Sequence, residues 1–362
     1  MNEEPPVDRK PVLSAFGTAR TPAHMQDVSR MIEESGFHTF WMPEGGQPVF
    51  SMCTAAALAT SDLTLGTGVA VAFPRSPMLT AQAAWMLAEA TDGRFVAGLG
   101  TQVRAHVERR FSAPFASPGP RLREYIEAMR AIFSAFRGDT KLRFEGDFYS
   151  FSLLPPMFSP GPIDQPDPPI YAAGVRPWMC RMVGEVGDGM LVHPLSSVAY
   201  IDDVVVPAVR EGEASRGRRP GEVAMVCPVM TAVSDDEAVR QRQRDGIRAR
   251  LAFYGSTPGY GVVFDVSGWP GVGERLTALQ REGDFAAMTA VITDDMVDSL
   301  AVTSTWDDLP GKLLERYGGR ADDIVCYSVL EQWGDDPDSL GRWQDVNRRF
   351  LELRDALPLP NR

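Results

Sequence analysis

Short apolar or β-branched runs ending in Gly, Pro or a small polar residue alternate along this chain with segments whose apolar residues recur at helical spacing. Parallel sheets with crossover helices require that alternation. Eight such runs are present: Val12–Phe16, Thr39–Met42, Leu63–Ala72, Phe95–Leu99, Ile170–Ala173, Met190–His193, Val223–Val233 and Ile324–Tyr327. Each precedes a segment of helical character, and eight βα units predict an α/β fold closed into a (β/α)8, or TIM, barrel. Thr21-Pro22 reads as N-cap and first helical position, and Gly36 as the stop of the same crossover helix. After the fourth run, Leu122, Tyr125, Ile126, Met129, Ile132, Phe133 and Phe136 form a helical stripe that faces the barrel.

Two stretches break the alternation. Residues 138–168 place an insertion before strand five, with LRFEGDFYSF as a hairpin and LLPPMFSPGPIDQPDPP as a Pro-rich loop. Decorated loops are expected after strand seven, where Gly255–Pro270 follows a long helix from Asp235 and reads either as a lid or as ordinary packing. No internal repeat or low-complexity tract is visible.

With 362 residues and 44% hydrophobic content, the expectation is one enlarged domain over residues 1–362. A formal charge of −12 argues against nucleic-acid partners and anionic membrane surfaces. The acidic, Pro-rich start has no apolar segment behind it, and no apolar run is long enough to span a bilayer, which points to a cytoplasmic protein. Cys53, Cys180, Cys227 and Cys326 sit far apart in apolar stretches and are read as buried thiols.

Barrel enzymes carry their chemistry at the carboxyl ends of the strands. Here those ends lack the usual drivers. Lys10, Lys141 and Lys312 all fall elsewhere, so Schiff-base chemistry has no nucleophile. His24, His38, His106 and His193 never occur at metal-ligand spacing, and Glu44 is nearly alone as a strand-end carboxylate, so no metal site and no glycosidase carboxylate pair is expected. What remains is an apolar mouth with two Gly-rich strand-to-helix turns, GLGTQ at Gly98–Gln102 and AAGVRPW at Ala172–Trp178. Such turns expose main-chain N–H groups that can hold a phosphate without lysine, although a glycine there also serves simply as a turn residue. A cofactor bringing its own redox chemistry suits such a site.

At these turns the chain resembles the luciferase-like monooxygenase superfamily, and most closely its coenzyme F420-dependent oxidoreductase branch. The resemblance is carried by GFHTFWMPEG at 36–45, LTLGTGVAVAFPRSPMLTAQAAWMLAEATDGRFVAGLGTQ at 63–102 and PIYAAGVRPWMCRMVGEVGDGMLVHP at 169–194. It implies that Glu44 lies near the deazaflavin ring. The next position, often a catalytic histidine in relatives, is Gly45 here. The family's bulge in strand three, often with a non-prolyl cis peptide against the ring, maps onto Gly68-Val69, with Ala70 beside it; an ordinary trans bulge is the alternative. Cofactor contacts after strand four map onto Thr101 and Gln102. A glutamate that serves as base in sugar-phosphate dehydrogenases maps onto Val103, which disfavours that oxidation. Phosphate contacts around strand five map onto Ala173, Gly174, Val175, Trp178 and Met179, with Arg176 as either an added charge or a surface arginine.

Three residues are weighed beside these. His193 ends strand six and is the candidate proton donor near the substrate. His106 reads as a contact to the cofactor tail or as the partner in a buried hydrogen bond, and Arg75 as an anion site or a loop anchor. The resulting expectation is hydride transfer between F420 and a small, hydrophobic, electron-poor molecule, catalysed by a homodimer, as the resemblance implies. The alternatives are an FMN-dependent monooxygenase using O2 and a flavin- or deazaflavin-binding protein without turnover.

Overall fold

The structure is a computed structural model and describes residue 7, residues 9–335 and residues 338–356. Most of the acidic Pro-rich start lies outside the described residues. Eight parallel strands close a barrel: β1 Val12–Phe16, β2 Thr39–Met42, β3 Thr64–Thr67 with its continuation Ala70–Val71, β4 Phe95–Gly100, β5 Ile170–Ala173, β6 Gly189–Leu191, β7 Ala224–Val233 and β8 Asp323–Cys326. Neighbours pair in chain order, and β8 closes the cylinder by pairing with both β7 and β1.

Every strand turns at least one side chain into the lumen, because alternate residues of a strand point to opposite faces. The lumen cluster comprises Phe16, Trp41, Val69, Val96, Tyr171, Ala173, Leu191, Val226 and Val325. Trp41 and Tyr171 fill most of it, with ring centroids 5.9 Å apart. They fit because their neighbours lack side chains: a Cβ on Gly66 would lie 2.5 Å from the Trp41 ring, and one on Gly189 2.5 Å from that of Tyr171. At the amino-terminal end of the barrel the Trp41 indole donates to Asp323 Oδ2 at 2.8 Å.

The ring of helices follows the sequence cues. Thr21 caps the helix Pro22–Glu34 by accepting from His24 N, and Gly36 takes the left-handed φ of +80° past its end. The whole predicted stripe from Leu122 to Phe136 is buried on the helix Pro118–Arg137. The hairpin expected in the insertion pairs Phe144–Glu145 with Ser150–Phe151, and a Pro-rich stretch with one short turn of helix follows. All four cysteines are buried and none is disulfide-bonded. No helix of the described residues is long and apolar enough to cross a membrane.

Two expectations need correction. The run Leu63–Ala72 is two pieces, because the chain bulges at Gly68-Val69. Gly255–Pro270 is not an irregular loop throughout: it contains the helix Val262–Val266, with Val263 and Phe264 buried. It belongs to a larger helical excursion between β7 and β8 that returns through a short strand, Ala301–Ser304, laid parallel on the far end of β7. That excursion begins with dense Gly and Pro punctuation, from Gly255, Pro258, Gly259 and Gly261 to Gly268, Pro270 and Gly271, so the short helix within it read as loop.

The helices Pro177–Val186 and Val206–Ser215 pack backbone to backbone through two glycines. A Cβ on Gly184 would stand 2.2 Å from the Val209 carbonyl oxygen, and one on Gly212 2.1 Å from that of Arg181. Gly184→Ala is therefore expected to cost at least about 2 kcal/mol in urea unfolding. Gly246→Ala, on an exposed helical position with nothing within 4 Å, is expected to add about 0.5–1 kcal/mol in the same measurement.

Candidate active site

The bulge in β3 shapes the barrel mouth. Gly66 pairs with Val96 and Ala70 with Leu99, so three residues of β3 stand opposite two of β4. The peptide bond Gly68-Val69 within the bulge is cis, at the position where the family resemblance puts one. Thr67 replaces the missing ladder bonds with its side chain: its hydroxyl donates to Gly98 O at 2.7 Å and accepts from Gly98 N at 2.8 Å. Only glycine fits at 98, where a Cβ would lie 1.9 Å from the Thr67 carbonyl oxygen. A Cβ on Gly100 would likewise lie 2.6 Å from a Val69 methyl. Gly68, Val69 and Ala70 thus sit directly against the turn that carries Thr101 and Gln102.

Glu44, at the end of β2, does not reach freely into the mouth. Its carboxylate accepts from Val71 N at 2.8 Å and from Arg75 Nη1 at 2.6 Å, and pairs with Arg75 Nη2 as well. Arg75 also donates to Val71 O at 3.0 Å, which makes it a loop anchor. The pair ties β2 to the resumed part of β3, so Glu44 bears on the mouth by holding the bulge in place. Gly45 and Gly46 have no atom within 4 Å of where a Cβ would be. The space a side chain would occupy there is open.

Two main-chain turns line the rim beyond the bulge. Gln102 adopts a left-handed φ of +56°, and its side-chain oxygen caps Val103 N at 2.9 Å, ahead of the short helix Arg104–Arg109. His106 on that helix is exposed, which removes the reading of a buried hydrogen bond. After β5, Gly174 packs on its own helix so closely that a Cβ would lie 2.8 Å from that of Met179. The Tyr200 hydroxyl donates to Val175 O and pins this turn. Among the described residues the N–H groups of Gly174, Val175, Arg176 and Trp178 make no hydrogen bond, and the first turn of Pro177–Val186 holds no acidic residue. Four donors at the positive end of a helix can hold an anionic oxygen cluster.

Arg176 is exposed and pairs with no carboxylate among the described residues. Its guanidinium approaches Gly259 across a cleft of about 510 Å³ that is also lined by Pro177, Asp265, Glu274 and Arg281. Trp178 packs on Gly119, in the first turn of the helix Pro118–Arg137, beneath the guanidinium of Arg123. Met179 packs into the outer core.

The opposite half of the mouth is aromatic. Phe16 stacks on Tyr327 with centroids 4.2 Å apart, and the two tyrosine hydroxyls of Tyr254 and Tyr327 lie 2.6 Å from each other. The His193 ring meets Tyr254 edge-on at 5.1 Å and Tyr260 at 4.5 Å. His193 Nδ1 accepts from Leu195 N at 3.0 Å, which leaves the proton of the neutral ring on Nε2. Burial pushes its pKa down to about 3. At neutral pH His193 therefore stands as a neutral ring whose one N–H is on Nε2, because the aromatic wall disfavours the imidazolium. Strand-end reading missed Phe16 and Tyr327 because they are the last residues of their runs rather than the first ones after. Tyr254 lies within a helix and carried no signal.

A closed α/β barrel with an apolar mouth and main-chain donors on one rim has the layout of a barrel enzyme whose site sits at the carboxyl ends of the strands. The chain belongs to the luciferase-like monooxygenase family, whose pattern matches residues 10–323. An uncharacterized protein of Mycobacterium tuberculosis (strain H37Rv) is 40% identical over 303 residues, covering 84% of this chain and 89% of the relative. The 5,10-methylenetetrahydromethanopterin reductase of Archaeoglobus fulgidus is 28% identical, covering 83% and 88% respectively. Among solved structures, the coenzyme F420-dependent tetrahydromethanopterin reductase of Methanopyrus kandleri superposes with a TM-score of 0.77 at 19% identity, over 95% of this chain and 99% of that one.

The depressed pKa of His193 has a consequence for stability. Between the ordinary value of 6.5 and about 3, the unfolded chain binds a proton that the native ring refuses, so stability falls as pH falls through that window. Urea unfolding at pH 7 and pH 5 is expected to show His193→Phe losing about 2 kcal/mol less than the parent chain between the two conditions.

Proposed function

We propose that this protein transfers a hydride between coenzyme F420 and a small, apolar, electron-poor organic molecule. The observation that carries the reading is the turn from Gly174 to Trp178, with four unpaired main-chain donors, no acidic residue in the helix's first turn and the unpaired cation of Arg176 alongside. An anionic cofactor tail matches that donor set, and the fold neighbours whose names carry F420, the tetrahydromethanopterin reductase and a secondary alcohol dehydrogenase, favour the deazaflavin reading. Bound, F420 supplies or accepts the hydride at its own ring.

The chain's residues do the rest. Gly68, Val69 and Ala70 form the shelf on which a planar ring rests, and the Glu44–Arg75 pair holds that shelf. Thr101, Gln102, Gly174, Val175 and Arg176 hold the tail, with exposed His106 at its outer edge and Ala173 behind the ring. Phe16 and Tyr260 exclude water from the substrate, and the open space at Gly45 leaves it room. The enzyme works as a cytoplasmic homodimer in this reading.

Titration of the purified protein with F420, followed by quenching of the coenzyme's fluorescence, is expected to give micromolar binding. Arg176→Ala is expected to weaken it about tenfold and to reduce its salt dependence. Preferential binding of FMN, with turnover that consumes O2, would overturn the F420 assignment.

A further inference from the structure

The Tyr254 and Tyr327 hydroxyls, 2.6 Å apart, form a pair with a proton to spare. Each phenol carries one proton, and the bond between them uses one. Among the described residues neither hydroxyl makes another hydrogen bond, so one O–H is left for a third acceptor. Both side chains are half-buried, open enough to meet a ligand yet shielded enough for the bond to count.

Their place in the mouth is defined by a continuous aromatic path. A Cβ on Gly68 would lie 3.8 Å from the Phe16 ring; Phe16 stacks on Tyr327, Tyr327 meets Tyr254, and Tyr254 meets His193. The hydroxyl pair therefore stands one aromatic ring away from the bulge of β3. Arg250, itself paired with Glu331, holds its guanidinium 5.5 Å from the centre of the Tyr327 ring. A cation there stabilises a phenolate formed in passing. Gly45 offers no side chain, and His193, neutral in its aromatic wall, is a weak acid beside the pair.

We propose that the Tyr254–Tyr327 pair is the proton source of the reaction, donating to the carbonyl oxygen of an aldehyde or ketone bound between Phe16 and Tyr260. This rests on the hydride-transfer reading above. The carbonyl carbon gains a hydride, the C=O π pair moves onto oxygen, and the O–H bond forms with the pair's proton. Reduced F420 is the two-electron donor and is oxidised, and solvent returns a proton to the phenolate. Burial, the neighbouring Tyr254 phenol and the bond Tyr327 donates to it hold the Tyr327 phenol above its ordinary range, so the pair keeps its protons at neutral pH and suits carbonyl reduction rather than alcohol oxidation.

The test uses 4-dimethylaminocinnamaldehyde, whose absorption moves to longer wavelength when its carbonyl oxygen accepts a hydrogen bond. Titrated into the cofactor-free protein, it is expected to shift; Tyr254→Phe with Tyr327→Phe should abolish the shift and weaken binding about tenfold. Far-UV circular dichroism and the melting midpoint should stay as in the parent, because both rings remain. With F420 bound, the double variant is expected to lose on the order of 100-fold in kcat for the same aldehyde, and to change the solvent isotope effect, at unchanged cofactor affinity. An unshifted probe on the parent protein, or an equal shift on the double variant, overturns the proposal. A shift that depends on the pair in a protein that fails to bind F420 supports the carbonyl site and overturns the hydride-transfer reading instead.

Discussion

The crowding of β3 against β4 is the constraint on which the rest of the mouth depends. Thr67 meets the main chain of Gly98 through its hydroxyl on both donor and acceptor sides, at 2.7 and 2.8 Å. That contact takes over from the regular ladder just where β3 gains a residue, so the bulge leaves no buried main-chain group of Gly98 unsatisfied. Because β3 resumes one residue late, Val69 turns into the lumen and Val71 presents its N–H to Glu44. Any side chain at 98 or 100 would push the two strands apart and undo each of these placements.

The mouth that results has two unlike halves. From β3 to β5 the rim is mostly main chain, held by glycines, by the Glu44–Arg75 pair and by Tyr200 on Val175. From β6 round to β1 it is built of rings, with Phe16, Tyr327, Tyr254, His193 and Tyr260 in unbroken contact. The first half suits anionic groups, because peptide dipoles are already oriented and need no counter-ion on the chain. The second suits apolar or aromatic molecules and strips water from whatever polar atom enters. The same desolvation holds His193 neutral.

Much of this was legible along the chain. β1, β2 and β5 fall on their predicted runs residue for residue, since buried parallel strands are short apolar blocks with sharp ends. The cap at Thr21, the stop at Gly36 and the stripe from Leu122 to Phe136 are local signals, and local physics carries them into the structure. Glu44 and Arg75 were both singled out, but nothing in their spacing joined them; the turn of the chain between β2 and β3 does that. Gly255–Pro270 was read as loop, because the Gly and Pro on both sides of the helix Val262–Val266 hide so short an element.

The amino-acid sequence by itself determined the number and order of the βα units, the apolar character of the mouth and the turns that offer main-chain donors. Those follow from periodicity, glycine placement and the scarcity of lysine, which need no knowledge of distant contacts. Only the tertiary structure decided that Glu44 is spent on Arg75 and Val71, that His193 is wedged between two tyrosines, and that Tyr254 meets Tyr327 across 73 positions of sequence. Protonation and hydrogen-bond partnership depend on burial and angstrom-scale distances, and barrel closure sets these between residues that no local pattern connects.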